Sequence, residues 1–215
     1  MRELSITTFL TLDGVMQGPG SPEEDRDGGF ELGGWLVPHF DEQVGAFVDE
    51  VFQRAGAIVL GHRTWSMMHP AWSVVSAEDG GATGVALNTL PKHVAGRDVD
   101  ASAWHDTRPI EGDVVEAVRA LKAEDGDGEL QVHGSWQLAQ TLIAAGLVDR
   151  FNLLTFPVVV GSGKELFPDG TPVGLTLESA TVTPSGVVCA TYLAAGDVRR
   201  GAIEGATDEG VLLDG

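Results

Sequence analysis

Cysteine is almost missing from this chain: among 215 residues there is one, Cys189, set in an apolar run. That excludes an internal disulfide framework and fits a reducing compartment, and a small buried thiol is the ordinary role for such a residue. Positive charge is also scarce, with 13 Lys and Arg against 32 Asp and Glu and a formal net charge of -19. A field of that sign repels polyanions, so nucleic acid and anionic membranes are excluded as partners, and the acidity reads as a solubility feature. No apolar stretch reaches the length needed to span a bilayer, and the N-terminus opens on a strand pattern without a charged-then-apolar leader. The expectation is a cytoplasmic protein. Missing too are internal repeats, a readable Ser-His-Asp set, and any metal-ligand spacing among His39, His69, His93, His105 and His133.

What is there reads as one globular domain. Apolar residues make up 43% and charged residues 21%, enough to bury a large core. Residues 3–12 are β-branched and apolar, a strand that ends on the turn signal Asp13-Gly14. Residues 14–38 are rich in Gly, Pro and acid but keep Phe30, Trp35 and Leu36, which suits a loop that closes over something. Pro38 suits the first turn of a helix over 40–54, with Val44, Phe47, Val48, Val51 and Phe52 on one face. Residues 57–60 form a buried strand that hands over at Gly61 to a helix beginning His62-Arg63-Thr64-Trp65. Residues 73–84 read as a surface loop, 85–87 and 102–105 as short strands, and 93–95 as a strand or a third glycine junction at Gly96-Arg97. Residues 111–123 form a helix with Val114, Val115, Val118 and Leu121 inward.

The chain is organised around residues 132–167. A strand over 130–133 ends on Gly134-Ser135, and a helix follows at once, with Leu138, Leu142 and Ile143 at helical spacing and Gly146 at its stop. An apolar run over 151–160 then closes on Gly161-Ser162-Gly163-Lys164. A strand, a small-residue turn and a helix start aim backbone N–H groups and the positive helix end at one point, a natural seat for an anion. Residues 175–183 and 187–193 alternate about Pro184-Ser185-Gly186 as a terminal antiparallel hairpin. Strands alternating with helices, then a hairpin edge, predict an α/β fold with a mostly parallel sheet. Residues 1–195 form the domain, and 196–215, with a last apolar patch at 211–213, an acidic tail.

Taken in order, the turn at Leu12-Asp13-Gly14, the segment AIVLGHRTW, Pro91-Lys92-His93-Val94, VHGSWQLAQTLIAAGLVD and PVVVGSGKELF resemble the dihydrofolate reductase superfamily. The branch is that of the C-terminal reductase domain of the bacterial riboflavin-pathway enzyme. The resemblance implies a three-layer α/β/α domain and bound NADPH. By position it puts Gly61, His62, Arg63 and Thr64 at the adenosine phosphate end. Gly134, Ser135, Trp136 and Gln137 would meet the pyrophosphate, and Gly96 and Arg97 the ribose phosphate. Gly161 would allow close backbone approach to the ligand. Trp35 and Pro38 resemble the tryptophan and proline before the first helix of true dihydrofolate reductases, which makes Trp35 and Phe40 substrate-side candidates. Phe40 stands where those enzymes carry their acid; Asp41, one residue on, and Asp13, nearest the closing loop, are the candidate proton donors. The implied activity is hydride transfer from NADPH to a pyrimidine- or pterin-like ring. The alternative is a non-catalytic dinucleotide- or flavin-binding module. A small-molecule substrate and a homodimer built on the hairpin edge or the tail complete the expectation.

Overall fold

A computed structural model describes residues 1–167 and 169–201. Eight strands form one sheet in the order β4-β3-β2-β5-β1-β6-β8-β7. They are β1 Leu4–Thr11, β2 Ala55–Gly61, β3 Lys92–Ala95, β4 Thr107–Ile110, β5 Glu129–His133, β6 Arg150–Phe156, β7 Leu175–Val182 and β8 Val188–Ala194. The pairings from β4 across to β6 are all parallel, and β8 and then β7 add antiparallel strands at one edge. The helices are α1 Glu42–Gln53, α2 His62–Trp72, α3 Ala77–Thr89, α4 Val114–Ala123 and α5 Trp136–Ala144. None of the described helices is long and apolar enough to cross a membrane.

Strand periodicity sorts the helices into two layers. Ala57 and Val59 of β2 pack with Leu130 and Val132 of β5 against Val118 of α4 and Leu138 and Leu142 of α5. Ile58 and Leu60, one residue out of phase, pack against Phe52 of α1, Trp65 of α2 and Leu87 of α3. The parallel strands at the centre of the sheet are therefore covered on both faces, as a parallel sheet must be, while the edge strand β7 is largely exposed. The odd-numbered face of β5, beneath α1, is polar and buried. Glu129 Oε2 accepts from Ser5 Oγ at 2.8 Å, and Glu129 Oε1 accepts from Arg54 Nε at 2.7 Å. Gln131 Nε2 donates to Val51 O at 2.6 Å. Buried polar groups have to be paired in this way to be tolerated.

The expected strands at 85–87 and 102–105 and the loop at 73–84 are corrected. Helix α3 occupies most of that loop and all of the first strand. Ser76 caps α3 by accepting from Asp79 N at 3.1 Å, and Thr83, Ala86 and Leu87 form its buried face. Gly80, Gly81 and Gly84 hide the helical pattern, and Gly81 (φ 58) kinks the helix. Residues 102–105 form turns, and β4 begins only after Asp106 (φ 48). Helices α1 and α4 start at carboxylate caps, Asp41 and Asp113, so each is shorter at its N-terminus than its apolar pattern suggested. The hairpin forms as expected, Thr183 and Val187 closing it through Thr183 N→Val187 O at 2.9 Å. The proposed apolar patch at 211–213 lies outside the described residues.

Candidate active site

Strands β2 and β5 are neighbours in the sheet, and each feeds a helix at its C-terminal end. Open α/β sheets bind ligands at this edge, where consecutive connections leave toward opposite faces. The turn after β5 runs through Gly134 (φ 58) and Ser135 (φ 62, ψ 65), both left-handed. Only glycine adopts that conformation freely; holding a serine there costs roughly 1 kcal/mol or more. The hydroxyl gives the reason: Ser135 Oγ accepts the Gly61 N–H at 2.8 Å, which ties the β5–α5 corner to the β2–α2 corner. A third corner touches the second, because a β-carbon on Gly96 (φ 150) would stand 2.4 Å from His62 Cβ.

The helix caps separate these corners from the rest of the fold. Asp41, Ser76 and Asp113 each accept first-turn amides of α1, α3 and α4. Helices α2 and α5, entered from Gly61 and Ser135, have no side-chain cap. Their first-turn N–H groups are left for another acceptor, with the positive helix ends behind them. Both open on one cleft of about 1070 Å³. Gly61, His62, Arg63 and Thr64 line it, as do Gly96 and Arg97, then Gly134, Ser135, Trp136 and Gln137, and on the far wall Phe40. That volume slightly exceeds the roughly 300–1,000 Å³ of a single-ligand pocket, room for a dinucleotide beside a second molecule. Bare amides, glycine corners and nearby Arg63, Arg97 and Lys164 fit a pyrophosphate-bearing cofactor.

Four proposed site residues do not line the cleft. Asp13 accepts from Thr11 Oγ1 at 2.5 Å and from Gly161 N at 2.7 Å, which joins the end of β1 to the segment after β6. Those bonds, the Thr11 hydroxyl first, hold its carboxyl below the usual range. Gly161 is engaged in that same link. Asp41 accepts from Val44 N at 2.9 Å and Ser185 N at 3.0 Å and is held down to about 2, chiefly by the Val44 amide. Such a carboxyl carries no proton to donate near neutrality. Trp35 is buried among Val15, Phe30 and Phe156, with Nε1 donating to Gln17 O at 2.8 Å. The reading of Asp13 and Asp41 as proton donors and of Trp35 as a substrate contact is corrected on this geometry.

Several lining residues were not marked in the sequence. Lys164 Nζ lies 5.4 Å from the Trp136 ring centroid and donates to Asp25 Oδ2 at 2.6 Å and Asp27 Oδ2 at 2.7 Å. Arg63 grips the same two carboxylates, Asp27 and, at 3.0 Å, Asp25. Asp27 is held down to about 2 by these partners, Arg63 foremost. Gln17 steadies the strap, donating to Asp27 O at 2.9 Å and accepting from Lys164 N at 3.1 Å. The acidic loop is thus fastened across the cleft by the two cations that flank its glycine corners. His133 stacks on Phe52, ring centroids 4.1 Å apart and planes 4° from parallel. Its Nε2 lies 3.0 Å from Gln131 Oε1. Burial pushes the imidazole down to about 3, so it is neutral at physiological pH. Asp49, on the cleft side of α1, was also unmarked. A signal was available: Gly45, Val48, Asp49 and Phe52 recur at helical spacing beside the core stripe.

Comparison with known proteins agrees with this architecture. A Shewanella sp. PV-4 protein named for riboflavin biosynthesis superposes with a TM-score of 0.65 at 17% identity, covering 91% of this chain and 99% of that one. A pyrimidine reductase-like protein of Corynebacterium diphtheriae gives 0.60 at 14% identity, covering 91% and 93%. A Thermotoga maritima diaminohydroxyphosphoribosylaminopyrimidine deaminase/5-amino-6-(5-phosphoribosylamino)uracil reductase gives 0.60 at 14% identity, covering 90% and 57%. These likenesses establish the fold. The uncharacterized protein YyaP of Bacillus subtilis (strain 168) is 37% identical over 84 residues, 39% of this chain and 44% of its own length. The family model described as RibD C-terminal domain matches residues 2–189, so the chain belongs to the RibD C-terminal domain family.

Proposed function

We propose that the protein is an NADPH-dependent reductase that delivers hydride to a pyrimidine- or pterin-like ring. The observation that carries this reading is the pair of uncapped helix N-termini, stitched by the Gly61 N–H to Ser135 Oγ bond and opening on one cleft. The nicotinamide group supplies the hydride. The chain's own residues bind and orient. The amides at the start of α2 and α5 receive the pyrophosphate, Arg97 offers charge to the phosphate of the ribose, and Trp136 walls one side. Thr7, Thr8 and Phe9 in the middle of β1, with His133, form the floor against which the acceptor ring lies. Neutral His133 offers a hydrogen-bonding edge rather than a proton: Gln131 directs its own amide N–H groups to Val51 and Glu129, so its oxygen receives the imidazole Nε2–H.

Calorimetric titration with NADPH tests the reading. Binding in the micromolar range is expected. Gly134→Asp should weaken it at least about tenfold, because the variant strains a left-handed position and sets a negative charge at the amide corner. No binding by wild type, or equal binding by Gly134→Asp, sinks it. A second reading, a non-catalytic dinucleotide- or flavin-binding module, is favoured by one observation: neither Asp13 nor Asp41 reaches the cleft to donate a proton. NADPH oxidation assayed against pterins, pyrimidines and flavins separates the two; binding without turnover on every member selects the second.

A further inference from the structure

The cleft has a second end, enclosed by α1, α2 and α3, and its chemistry is opposite to that of the glycine corners. Gly45, Val48, Asp49 and Phe52 present one face of α1 to it; Met67, Met68 and Trp72 come from α2, and Gly80 and Thr83 from α3. The surface is apolar, with Phe40 46% and Met67 45% exposed at its rim, and its ionised group is the Asp49 carboxylate. Thr83 donates twice to Asp49 Oδ1, from N at 3.1 Å and from Oγ1 at 2.7 Å, which fixes the carboxylate plane. No protein hydrogen bond goes to Oδ2 among the described residues. Beside it stands Gly81, the kink of α3, where a β-carbon would come within 3.0 Å of Oδ2. A side chain at 81 would crowd this oxygen, and glycine leaves it accessible.

Among the described residues, no Lys or Arg pairs with that carboxylate. The Lys and Arg side chains of the cleft wall are Arg63, Arg97 and Lys164. Arg63 stands near the start of α2 and Trp72 is its last residue, about 14 Å farther along the axis at 1.5 Å per residue. The Trp72 ring lies beside Gly80, 3.9 Å from a β-carbon built there, hence at the α3 end. Arg63 and Lys164 are moreover already paired with Asp25 and Asp27. A phosphate or carboxylate at the α1–α3 end would face Asp49 across an apolar, weakly screening surface.

We propose that this end of the cleft selects a substrate part rich in hydrogen-bond donors and free of negative charge, with Asp49 Oδ2 as the selecting acceptor. The acceptor molecule is then an unphosphorylated, amine- or hydroxyl-bearing heterocycle, not a phosphate ester. The inference rests on the reductase reading for the occupant of the other end. Like charges near contact in a partly dry site disfavour the phosphorylated form by at least about tenfold.

The test uses a matched pair, a ribosylaminopyrimidine with and without its 5′-phosphate, titrated by tryptophan fluorescence into the whole protein. Tighter binding of the unphosphorylated member by about tenfold or more is expected, with Asp49→Asn bringing the two within about threefold. Asparagine keeps the oxygen that Thr83 bonds, and a melting curve for the variant guards against a folding defect. Equal or tighter binding of the phosphate ester, binding of neither member, or a preference unchanged in Asp49→Asn overturns the proposal. Parallel NADPH titration keeps the two readings apart. NADPH binding without the pair preference sinks this inference alone, and the preference without NADPH binding sinks the reductase reading alone.

Discussion

Lys92 is the residue whose environment most contradicts its type. It is fully buried at the start of β3, and Nζ donates to Leu87 O and Leu90 O at 2.8 Å each and lies 5.0 Å from the Trp104 ring centroid. Burial pushes its pKa from 10.5 down to about 8. A cation disfavoured by the fold binds its proton more weakly there than in the unfolded chain, so the unfolded state holds more protons between pH 8 and 10.5. Stability from this group therefore rises with pH across that window. Comparing wild type with Lys92→Met by chemical denaturation at pH 7.5 and 9.5 checks the sign. Wild type should gain relative to the variant at the higher pH, and a relative loss refutes the assignment. In the sequence Lys92 was visible only as part of a motif, because a buried lysine and an exposed one leave the same letter. Asp13 and Asp41 show the converse. Asp13 was noticed as an acid at a turn and Asp41 as the acid one residue past Phe40, and each is engaged by backbone amides, a role that depends on what packs opposite: Gly161 for one, Ser185 for the other. The Gly134-Ser135 corner was legible because left-handed turns have a strong compositional preference and the helix beyond it is periodic.

Elements with strong periodicity were readable, and α3, broken by Gly80, Gly81 and Gly84, was not. Strands β1, β2 and β5 and helices α4 and α5 follow from apolar spacing. Helix α3 was missed because its glycines depress helix propensity and tertiary contacts with Asp49 and Trp72 supply what propensity lacks. The acidic strap over the cleft was recognised as a closing loop, but its fastening was not, since Arg63 and Lys164 are about a hundred residues apart. The Arg63–Asp27 pair is exposed and of a kind that is individually weak and easily screened, whereas Lys164 and Asp25 are mostly buried. Lys164→Gln should therefore loosen the strap and speed tryptic cleavage after Arg26, and salt at about 0.5 M should do the same in wild type. Mass spectrometry of timed digests reads both, and a cleavage rate indifferent to substitution and salt would show that something else holds the loop.

At the scale of the molecule, a strongly acidic chain sets three of its 13 cations, Arg63, Arg97 and Lys164, around one cleft. The class of fold was legible because alternating strands and helices admit few arrangements. The position of the cleft then follows from the order of the strands. The antiparallel side is a different territory. Strand β8 is held between β6 and β7, and Cys189, 2% exposed, faces Leu154 across one pairing and Thr181 across the other. Burial raises its thiol to about 11. Alkylation of native protein at pH 8 should then run at least about a hundredfold slower than of urea-unfolded chain, followed by mass, and equal rates would show that this border is open.

One sulfur atom sealed in the penultimate strand has a practical consequence. The molecule carries its own stopwatch for the peeling of that margin, with no competing sulfhydryl to blur the reading.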